Sequence, residues 1–578
     1  MDTRGSPSPR LLAIALFGVC AMRLIALGAL PILDPSEGRY VAIAATMEQS
    51  GDWVTPRFPD GTPYWGKPPL YFWLTATALR VGGHREAAAR LPAALGEGLL
   101  LLATWLVARR LYGAATGLLA ALVLASSALV LGAAGVALLD VTLAACVAWT
   151  CVGFLFAVDE RDPARSRFWG LVFFAGLGLG MLSKGPVALV VCALAIGLWS
   201  LFCGSLGWVR RLPLATGAAL ALVLVAPWYV EAERRTPGFL EYFFLQENLL
   251  RYVTRDYGDL YGNAHVRPFG TVWTYLLGGF LPWSPLGLAL LWEQRPWRFR
   301  SWPRLGSCER FLIAWAIAAP LFFSFGRSVL WGYVLPSLPP LAVLFARLLS
   351  CTDVRDLTPT SHPAPGASLA RQGLAVTGWL ILAAAATAVA VGGALRFGAP
   401  LDLLMLGLVL ACLGAWRLRG NSTTVGYAVW VTVAVCALEV SGRLLFWDEL
   451  ATIHSSFAVV NALEQRPELL ECNTIYCGTV PPSVSFYDHR SWEGLHCGTQ
   501  VLRDRFEDAR CDVVVIDNDD LDQIAADDRR GLREVYADPR RRILTNAYGA
   551  RRIPEAVGSR DPDEPSWRQA GRNMKIGS

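Results

Sequence analysis

Residues 139–157 read LDVTLAACVAWTCVGFLFA, and this stretch decides the class of fold. Its only charged side chain is Asp140, which stands at its beginning. A helix needs roughly 20 mainly apolar residues to cross a bilayer. The stretch therefore predicts a membrane-spanning helix with an acidic residue at one mouth.

The composition of the whole chain agrees with a membrane protein. Of its 578 residues, 54% are hydrophobic and 17% are charged, whereas soluble domains carry about 25% charged residues. The net charge of +5 is spread over the full length, which argues against nucleic-acid binding. These values predict an α-helical polytopic membrane protein.

Similar apolar runs on both sides of 139–157 bring the number of predicted spans to thirteen. The other twelve lie near 11–31, 88–108, 114–133, 168–182, 186–203, 212–230, 270–292, 311–325, 329–346, 373–393, 400–416 and 423–446.

Arginines in alternate connections predict the orientation of these spans. Arg109 and Arg110 form one such group, and Arg210 and Arg211 form another. Because cytoplasmic loops accumulate Lys and Arg, we expect a cytoplasmic N-terminus and a first span that is retained rather than cleaved. The loops 32–87 and 231–269 and everything after 447 then face the outside.

The chain divides by composition into a membrane domain, residues 1–446, and a charged tail. The segment DVVVID at 512–517 predicts a strand, and 449–464 predicts a helix. We therefore expect a small α/β extracytoplasmic domain over 447–558, followed by a disordered tail over 559–578. Four cysteines predict two disulfides there, with three possible pairings: Cys472, Cys477, Cys497 and Cys511.

Lysine is rare enough for each one to be informative. The chain has only Lys67, Lys184 and Lys575 among 52 basic residues. The first two stand beside Gly and Pro at the predicted outer face. A compact ammonium on a rigid loop suits an anionic oxygen, although simple snorkelling to the interface is the alternative.

Acidic side chains are predicted at the same face. Asp34 and Glu37 follow the first span in the segment DPSEGRY, residues 34–40, and Asp140 begins the fourth span. A carboxylate in a partly desolvated site can act as a general base. Helix capping and loop ion pairs are the alternative interpretation.

The second outer loop and the turn near 326–328 supply cations. Clustered arginines bind phosphate through bidentate hydrogen bonds, although each side chain taken alone is equally consistent with an ordinary loop charge. The candidates are Arg251, His265 and Arg267 in the loop, Arg327 in the turn and Tyr333 on the following span.

Two charges fall inside predicted spans, Arg23 in the first and Glu97 in the second. Intramembrane charges usually face a partner, so we expect these two side chains to pair. The sequence has no Gly-rich nucleotide-binding loop. The energy for any reaction must then come from a membrane-resident donor or a gradient.

Several segments resemble the GT-C integral-membrane glycosyltransferases, especially bacterial relatives of the protein O-mannosyltransferases and of the lipid A aminoarabinose transferase. The resemblance extends over about residues 10–350. It is carried by DPSEGRY (34–40), SGDWVTPR (50–57), PYWGKPPLYFWL (63–74), LLDVTLA (138–144), SKGPVAL (183–189), ENLLRY (247–252), HVRPF (265–269), LPW (281–283) and GYVLPSLPPLAVL (332–344).

The resemblance implies an inverting hexosyl- or pentosyltransferase at the outer face of the bacterial cytoplasmic membrane. Its donor would be a polyprenyl phosphate sugar, and its acceptor a hydroxyl on a lipid, a glycan or a protein. By motif, the donor phosphate would be held by Lys67, Arg251, His265 and Arg267, with Tyr333 nearby and Lys184 and Arg327 in support. Asp34 or Glu37 would orient or deprotonate the acceptor, and Asp140 would complete the acidic side.

The chain departs from the family pattern at two positions. Ser36 replaces the usual aspartate, which leaves the base open between Asp34 and Glu37. Gly66 replaces a glutamate that the aminoarabinose transferase has before its lysine, at a position implicated in metal binding. The resemblance allows a divalent metal, although Gly66 argues against it, and no other cofactor is implied. The departure at Gly66 also leads us to favour a sugar other than aminoarabinose. Two other functions, a lipid-linked sugar flippase and an inactive membrane scaffold, remain as alternatives.

Overall fold

The computed structural model describes residues 9–254, 261, 266–294, 305–350, 428–436, 439, 451–452, 454–488, 490–495, 510–521, 532–538 and 540–546. The chain separates into two compact units, Met1–Leu450 and Ala451–Ser578. The predicted spans 373–393 and 400–416 and most of 423–446 lie outside the described residues, as does the predicted tail 559–578.

The first unit is built from helices. Those before the second outer loop are α1 (Pro9–Ala26), α2 (Ser36–Ser50), α3 (Leu70–Gly82), α4 (Glu86–Tyr112), α5 (Ala114–Ala125), α6 (Ala128–Ala134), α7 (Leu139–Asp159), α8 (Pro163–Lys184), α9 (Pro186–Cys203) and α10 (Leu214–Arg235). After them come α11 (Phe239–Glu241), a π-helix (Tyr242–Leu250), α12 (Arg251–Val253), α13 (Thr271–Gly279), α14 (Trp283–Gln294), α15 (Ser307–Ser324), a 3₁₀ helix (Trp331–Ser337) and α16 (Leu338–Ser350).

Eight helices within the described residues are long and apolar enough to cross a membrane, and the bent pair α13–α14 makes a ninth. This architecture confirms a polytopic helical membrane protein. Two predicted spans have a different form. The span at 114–133 breaks into α5 and α6 at Ser126, whose hydroxyl accepts a 3.1 Å hydrogen bond from the Trp283 indole. The span at 270–292 bends by 105°.

Helices α7 and α8 pack closely because glycines line their contact. A Cβ added to Gly153 would lie 2.5 Å from the backbone nitrogen of Phe173. One added to Gly176 would lie 2.6 Å from the Thr150 hydroxyl. Their glycines therefore let the two backbones approach, as small residues do in membrane helix pairs.

The charged ends of four helices meet at one end of this bundle. Arg110 of α4 pairs with Asp159 of α7 at 3.0 Å, and Arg347 of α16 pairs with Glu309 of α15. The Tyr112 hydroxyl donates to Glu309 at 3.3 Å. Because Arg90, Asp140 and Lys184 lie near the other ends of α4, α7 and α8, the candidate site belongs to the opposite end.

The second unit contains a five-stranded sheet in the order β2-β1-β3-β5-β4. Strand β1 is parallel to β2 and β3, whereas β5 is antiparallel to β3 and β4. The elements are the strands β1 (Asn473–Cys477), β2 (Trp492–Leu495), β3 (Asp512–Asp517), β4 (Arg533–Ala537) and β5 (Arg541–Thr545) and the helices α17 (Phe457–Glu464), α18 (Val484–Tyr487) and α19 (Asn518–Leu521).

The sheet confirms the predicted strand at 512–517. The predicted helix near 449–464 begins later, at Phe457. Cys472 and Cys511 form a disulfide with a Cα–Cα distance of 4.8 Å, which joins the start of β1 to the start of β3. The second predicted disulfide involves Cys497, which lies outside the described residues.

The predicted intramembrane pair is confirmed. Arg23 of α1 and Glu97 of α4 form an ion pair, with 7% and 6% of their side chains exposed. The Arg23 guanidinium also donates to the backbone oxygen of Ala125, at the end of α5. One buried cation therefore joins three helices inside the apolar layer.

Glu97→Gln should lower the Tm because it leaves a buried guanidinium facing a neutral amide. Breaking a buried pair costs about 3–5 kcal/mol, and Arg23→Gln combined with Glu97→Gln should recover part of the loss. Asp159→Asn, in the exposed pair with Arg110, is the control and should cost about 0–1 kcal/mol. Thermal unfolding of the purified variants measures this, and strictly additive effects of the two buried substitutions would contradict the coupling.

Candidate active site

The first outer loop is organised around Glu37, in the first turn of α2. Its Oε1 accepts from the Arg90 Nε at 2.7 Å and from the Ala137 backbone nitrogen at 2.7 Å. Its Oε2 accepts from the Arg90 Nη2 at 3.0 Å and from the Leu33 backbone nitrogen at 2.8 Å. With 2% of the residue exposed, all the donors to this carboxylate come from the protein itself.

Arg90, near the start of α4, is completely buried. Besides Glu37, it donates to the backbone oxygens of Leu27 at 2.9 Å and Pro31 at 2.7 Å. These carbonyls follow α1, where the chain leaves the bundle without regular structure to satisfy its backbone. The guanidinium therefore fixes the path from α1 into α2, which includes Asp34.

Asp34 and Glu37 thus differ in their surroundings. Asp34 is partly exposed at the start of the loop, whereas Glu37 is enclosed by four hydrogen bonds. A general base must reach the proton that it removes. The geometry favours Asp34 for contact with an acceptor and Glu37 for holding the loop.

Lys67 lies between the first loop and the π-helix. Its ammonium donates to the Gly66 backbone oxygen at 2.6 Å and pairs with Glu247, leaving 14% of its side chain exposed. Burial acts to lower the pKa of Lys67, but the Glu247 carboxylate and the Tyr40 hydroxyl outweigh it, so the pKa lies above its usual value. Lys67 therefore stays protonated and can hold an anion.

Glu247 joins two of the predicted phosphate ligands. The same oxygen, Oε1, accepts from Lys67 and from the Arg251 Nη1, the latter at 2.8 Å. Glu247 and Arg251 are four residues apart, but Glu247 belongs to the π-helix, a form frequently found at functional sites. The sequence interpretation did not include Glu247, although the segment ENLLRY contains it.

A second lysine–carboxylate pair lies where α7 begins and α8 ends. Lys184 pairs with Asp140, and its Nζ lies 4.3 Å from the centre of the Tyr333 ring. A Cβ on Gly332 would lie 2.9 Å from the Asp140 carboxylate, so glycine is needed for this approach. The structure thus brings Asp140, Lys184 and Tyr333 together as the sequence predicted.

Electrostatic interactions connect the two pairs. Lys67 interacts with Tyr40 and Tyr40 interacts with Asp140, while Lys184 interacts with Lys67. Burial raises the pKa of the Tyr40 hydroxyl, which therefore remains a neutral donor. Both lysines and both of their carboxylates belong to one site.

The second outer loop is fastened to the first by Tyr261. Its backbone oxygen accepts from the Arg39 guanidinium at 2.7 Å, and its hydroxyl accepts from the Trp65 backbone nitrogen at 3.0 Å. The hydroxyl also donates to the Pro63 backbone oxygen at 3.2 Å. These contacts tie Tyr261 to the segment that precedes Lys67.

Arg267 and Arg327 are near each other in the fold but exposed. A β-bridge joins Val266 to Ser328, and each arginine stands beside one bridge partner. Both side chains are exposed, and no ion pair forms on either within the described residues. His265 lies outside the described residues.

The residues around Lys67 do not fit a metal that requires a carboxylate at position 66. Gly66 supplies no ligand, and a Cβ there would lie 2.8 Å from the Tyr64 ring. No group of three or more His, Cys, Asp or Glu side chains suited to a metal occurs in the described part of the chain.

Residues 66–230 match the family described as dolichyl-phosphate-mannose-protein mannosyltransferase. The chain is 31% identical to the undecaprenyl phosphate-α-4-amino-4-deoxy-L-arabinose arabinosyl transferase of Pseudomonas aeruginosa over 421 residues, which cover 69% of this chain and 70% of the relative. The same named enzyme of Erwinia tasmaniensis is 32% identical over 329 residues, and the match covers 56% of each chain.

The fold is that of a solved relative. ArnT from Cupriavidus metallidurans, in a crystal structure bound to undecaprenyl phosphate, superposes with a TM-score of 0.74 at 21% identity, covering 95% of this chain and 99% of that one. Fold and site define a GT-C type membrane protein. The chain belongs to the GT-C glycosyltransferase family and is related within it to the lipid A aminoarabinose transferases.

Arg90→Lys should lower the Tm by several degrees while the protein still folds. One ammonium cannot replace the guanidinium on both oxygens of Glu37 and on the carbonyls of Leu27 and Pro31, and each buried group left unsatisfied costs about 1–3 kcal/mol. Thermal unfolding of the purified variant measures this. Arg85→Lys, one turn earlier, is the control, and equal Tm values for both variants would contradict the assigned role of Arg90.

Proposed function

We propose that this protein transfers a sugar from a polyprenyl phosphate donor to an acceptor hydroxyl at the outer face of the bacterial cytoplasmic membrane. The observation that carries the proposal is the pair of partly exposed lysines in one site, with Lys67 beside Arg251 and Lys184 beside Tyr333. Only three lysines occur in the chain. A cationic site at a helix-bundle mouth suits a phosphate whose lipid tail lies in the bilayer.

The chemistry requires two functions from these residues. The acceptor oxygen forms a bond to the anomeric carbon while the bond from that carbon to the phosphate oxygen breaks. The polyprenyl phosphate leaves with the electron pair and gains negative charge, which preorganised cations stabilise. The acceptor hydroxyl loses its proton, which a carboxylate accepts.

We assign the phosphate to Lys67 and Arg251, with His265, Arg267 and Tyr333 around it and Lys184 and Arg327 in support. Asp34 is the proposed base because it is accessible. Glu37 keeps Asp34 in place through the loop that Arg90 fixes, and Asp140 orients Lys184. The assignments of Lys67, Arg251, Lys184 and Asp140 rest on the contacts of their side chains. Those of His265, Arg267 and Arg327 rest on their positions in the motifs.

The relatives suggest which donor to examine first. Their names specify 4-amino-4-deoxy-L-arabinose on undecaprenyl phosphate, so a pentose carried by this lipid is the proposed donor class. The acceptor is a lipid, glycan or protein hydroxyl. The orientation follows from the arginines: the end with Arg110 and Arg347 faces the cytoplasm, and the second unit lies in the periplasm.

Lys67→Ala should abolish transfer because it removes a cation from the leaving phosphate. Mass spectrometry of polyprenyl phosphate sugars in a deletion strain should show one accumulated donor, which wild-type protein removes and Lys67→Ala does not. Arg57→Ala, on the same loop with a 2.9 Å hydrogen bond to the Gly61 backbone oxygen, is the control and should restore turnover. Normal donor levels with the Lys67 variant would exclude Lys67 from the site.

Asp34→Asn should reduce transfer by about 10²–10⁴-fold, the usual contribution of a general base, without weakening lipid phosphate binding. The same lipid analysis measures turnover, and binding of undecaprenyl phosphate to the purified variant tests the phosphate site. Asp60→Asn, an exposed carboxylate that accepts from the Thr62 backbone nitrogen at 2.8 Å, is the control. Wild-type turnover by the Asp34 variant would remove it from the base role.

A further inference from the structure

Glu247 is an anion placed inside a site that binds an anion. Its carboxylate is buried, with 5% of the side chain exposed. One oxygen accepts from both Lys67 and Arg251. The other oxygen, Oε2, is buried without a hydrogen-bond partner among the described residues. A carboxylate needed only to orient the two cations would be expected to use both oxygens.

Lys67, Arg251 and Glu247 form a triad whose net charge can be compared with that of the donor. Lys67 and Arg251 contribute two positive charges and Glu247 one negative charge, so the triad carries one net positive charge. A polyprenyl phosphate sugar is a phosphodiester with one negative charge. The single net positive charge of the triad therefore matches the single negative charge of the donor.

The reaction changes this balance. Breaking the bond between the anomeric carbon and the phosphate oxygen converts the diester into a monoester, while the acceptor proton passes to Asp34. The second pKa of a phosphate monoester is about 6, so the lipid product carries up to two negative charges at neutral pH. Within the triad no further cation is available for the second charge, which is repelled by Glu247.

We propose that Glu247 makes the site selective for the charge of a phosphodiester and promotes release of the polyprenyl phosphate product. It acts through Lys67 and Arg251 rather than by touching the reacting atoms, so it is a positioning residue. This inference rests on the proposed function, because it requires that the triad hold the lipid phosphate.

Among the described residues, the groups that interact with Glu247 keep one charge state between about pH 5 and about pH 8. Lys67 and Arg251 face the carboxylate directly, and the Tyr64 hydroxyl interacts with it electrostatically. Burial raises the pKa of Tyr64 and of Tyr40, which lies beside Lys67. Both phenols therefore stay neutral across the range in which a phosphate monoester loses its second proton.

The test compares two lipids that differ by one ionisation. Purified full-length protein is titrated with undecaprenyl phosphate and with its methyl diester at about pH 5 and about pH 8, on either side of the second phosphate pKa. Because the diester does not titrate, a change of its Kd with pH reports titration of the protein alone.

Wild-type protein should bind the monoester no better than the diester at the higher pH. In Glu247→Gln, the monoester should bind roughly ten- to hundredfold more tightly at the higher pH than in wild type, the range for one unit charge a few ångströms away. The diester should change less, and the Kd ratio should vary with pH only in this variant. Turnover should fall as product release slows.

Two variants control for a structural effect. Glu247→Asp keeps the charge and should preserve the wild-type ratio of Kd values. Glu231→Gln removes a carboxylate of α10 that pairs with Arg235 at 2.9 Å and should leave the ratio unchanged. If Glu247→Gln fails to fold, the comparison can be made between Glu247→Asp, which keeps the negative charge, and Glu247→Ala, which removes it.

The outcomes separate the inference from the function on which it rests. A Kd ratio that is the same in wild type and Glu247→Gln, with binding lost in Lys67→Ala, would overturn the role of Glu247 and leave the phosphate site intact. Failure of wild type to bind either lipid would overturn both. If the Kd ratio shifts equally in Glu231→Gln, the shift reflects the net charge of the protein rather than Glu247. That outcome would also reject the role assigned to Glu247.

Discussion

The buried pair between Arg90 and Glu37 joins the parts of the membrane unit on which the site depends. The guanidinium holds backbone carbonyls that follow α1, and the carboxylate holds backbone nitrogens before α2 and before α7. Four segments meet at this pair, with no water needed to satisfy its atoms. Asp34 lies in the short segment between α1 and α2 that this pair holds in place. Asp140 lies in the first turn of α7, and the pair also holds the backbone just before that helix.

The rest of the site also contains ion pairs, but in these pairs the cation is partly exposed. Lys67 and Lys184 each have a carboxylate partner, yet each keeps part of its side chain exposed, 14% and 12%. Buried cations without partners are costly, so a site that must be empty between turnovers needs internal anions. Glu247 and Asp140 supply them, and under the proposed function the donor phosphate would compete with them for the two lysines.

The sequence was sufficient for features that depend on local composition. The spans follow from apolar runs, the lysines from their rarity, and the strand at 512–517 from its run of β-branched residues. The Arg23–Glu97 pair could be predicted because few charges lie inside spans and each requires a partner.

Features that depend on contacts between residues far apart in the chain could not be predicted from the sequence. Glu37 and Arg90 are 53 positions apart, and Lys67 and Glu247 are 180 apart. No local pattern separates the enclosed Glu37 from the accessible Asp34, three residues earlier in the same motif. The π-helix arises from packing, since the hydrophobic period of residues 242–250 does not distinguish it from an α-helix. The break at Ser126 likewise depends on Trp283, far along the chain.

Transfer of sugar from a lipid phosphate by this protein can be measured in the reaction itself. The donor lipid that accumulates in a deletion strain would be purified and incubated with the protein and membranes that contain the acceptors. The account predicts that undecaprenyl phosphate appears in step with sugar-modified acceptor, each mole of one with a mole of the other. Donor that remains intact, although folded wild-type protein and acceptor membranes are present, would contradict sugar transfer by this protein.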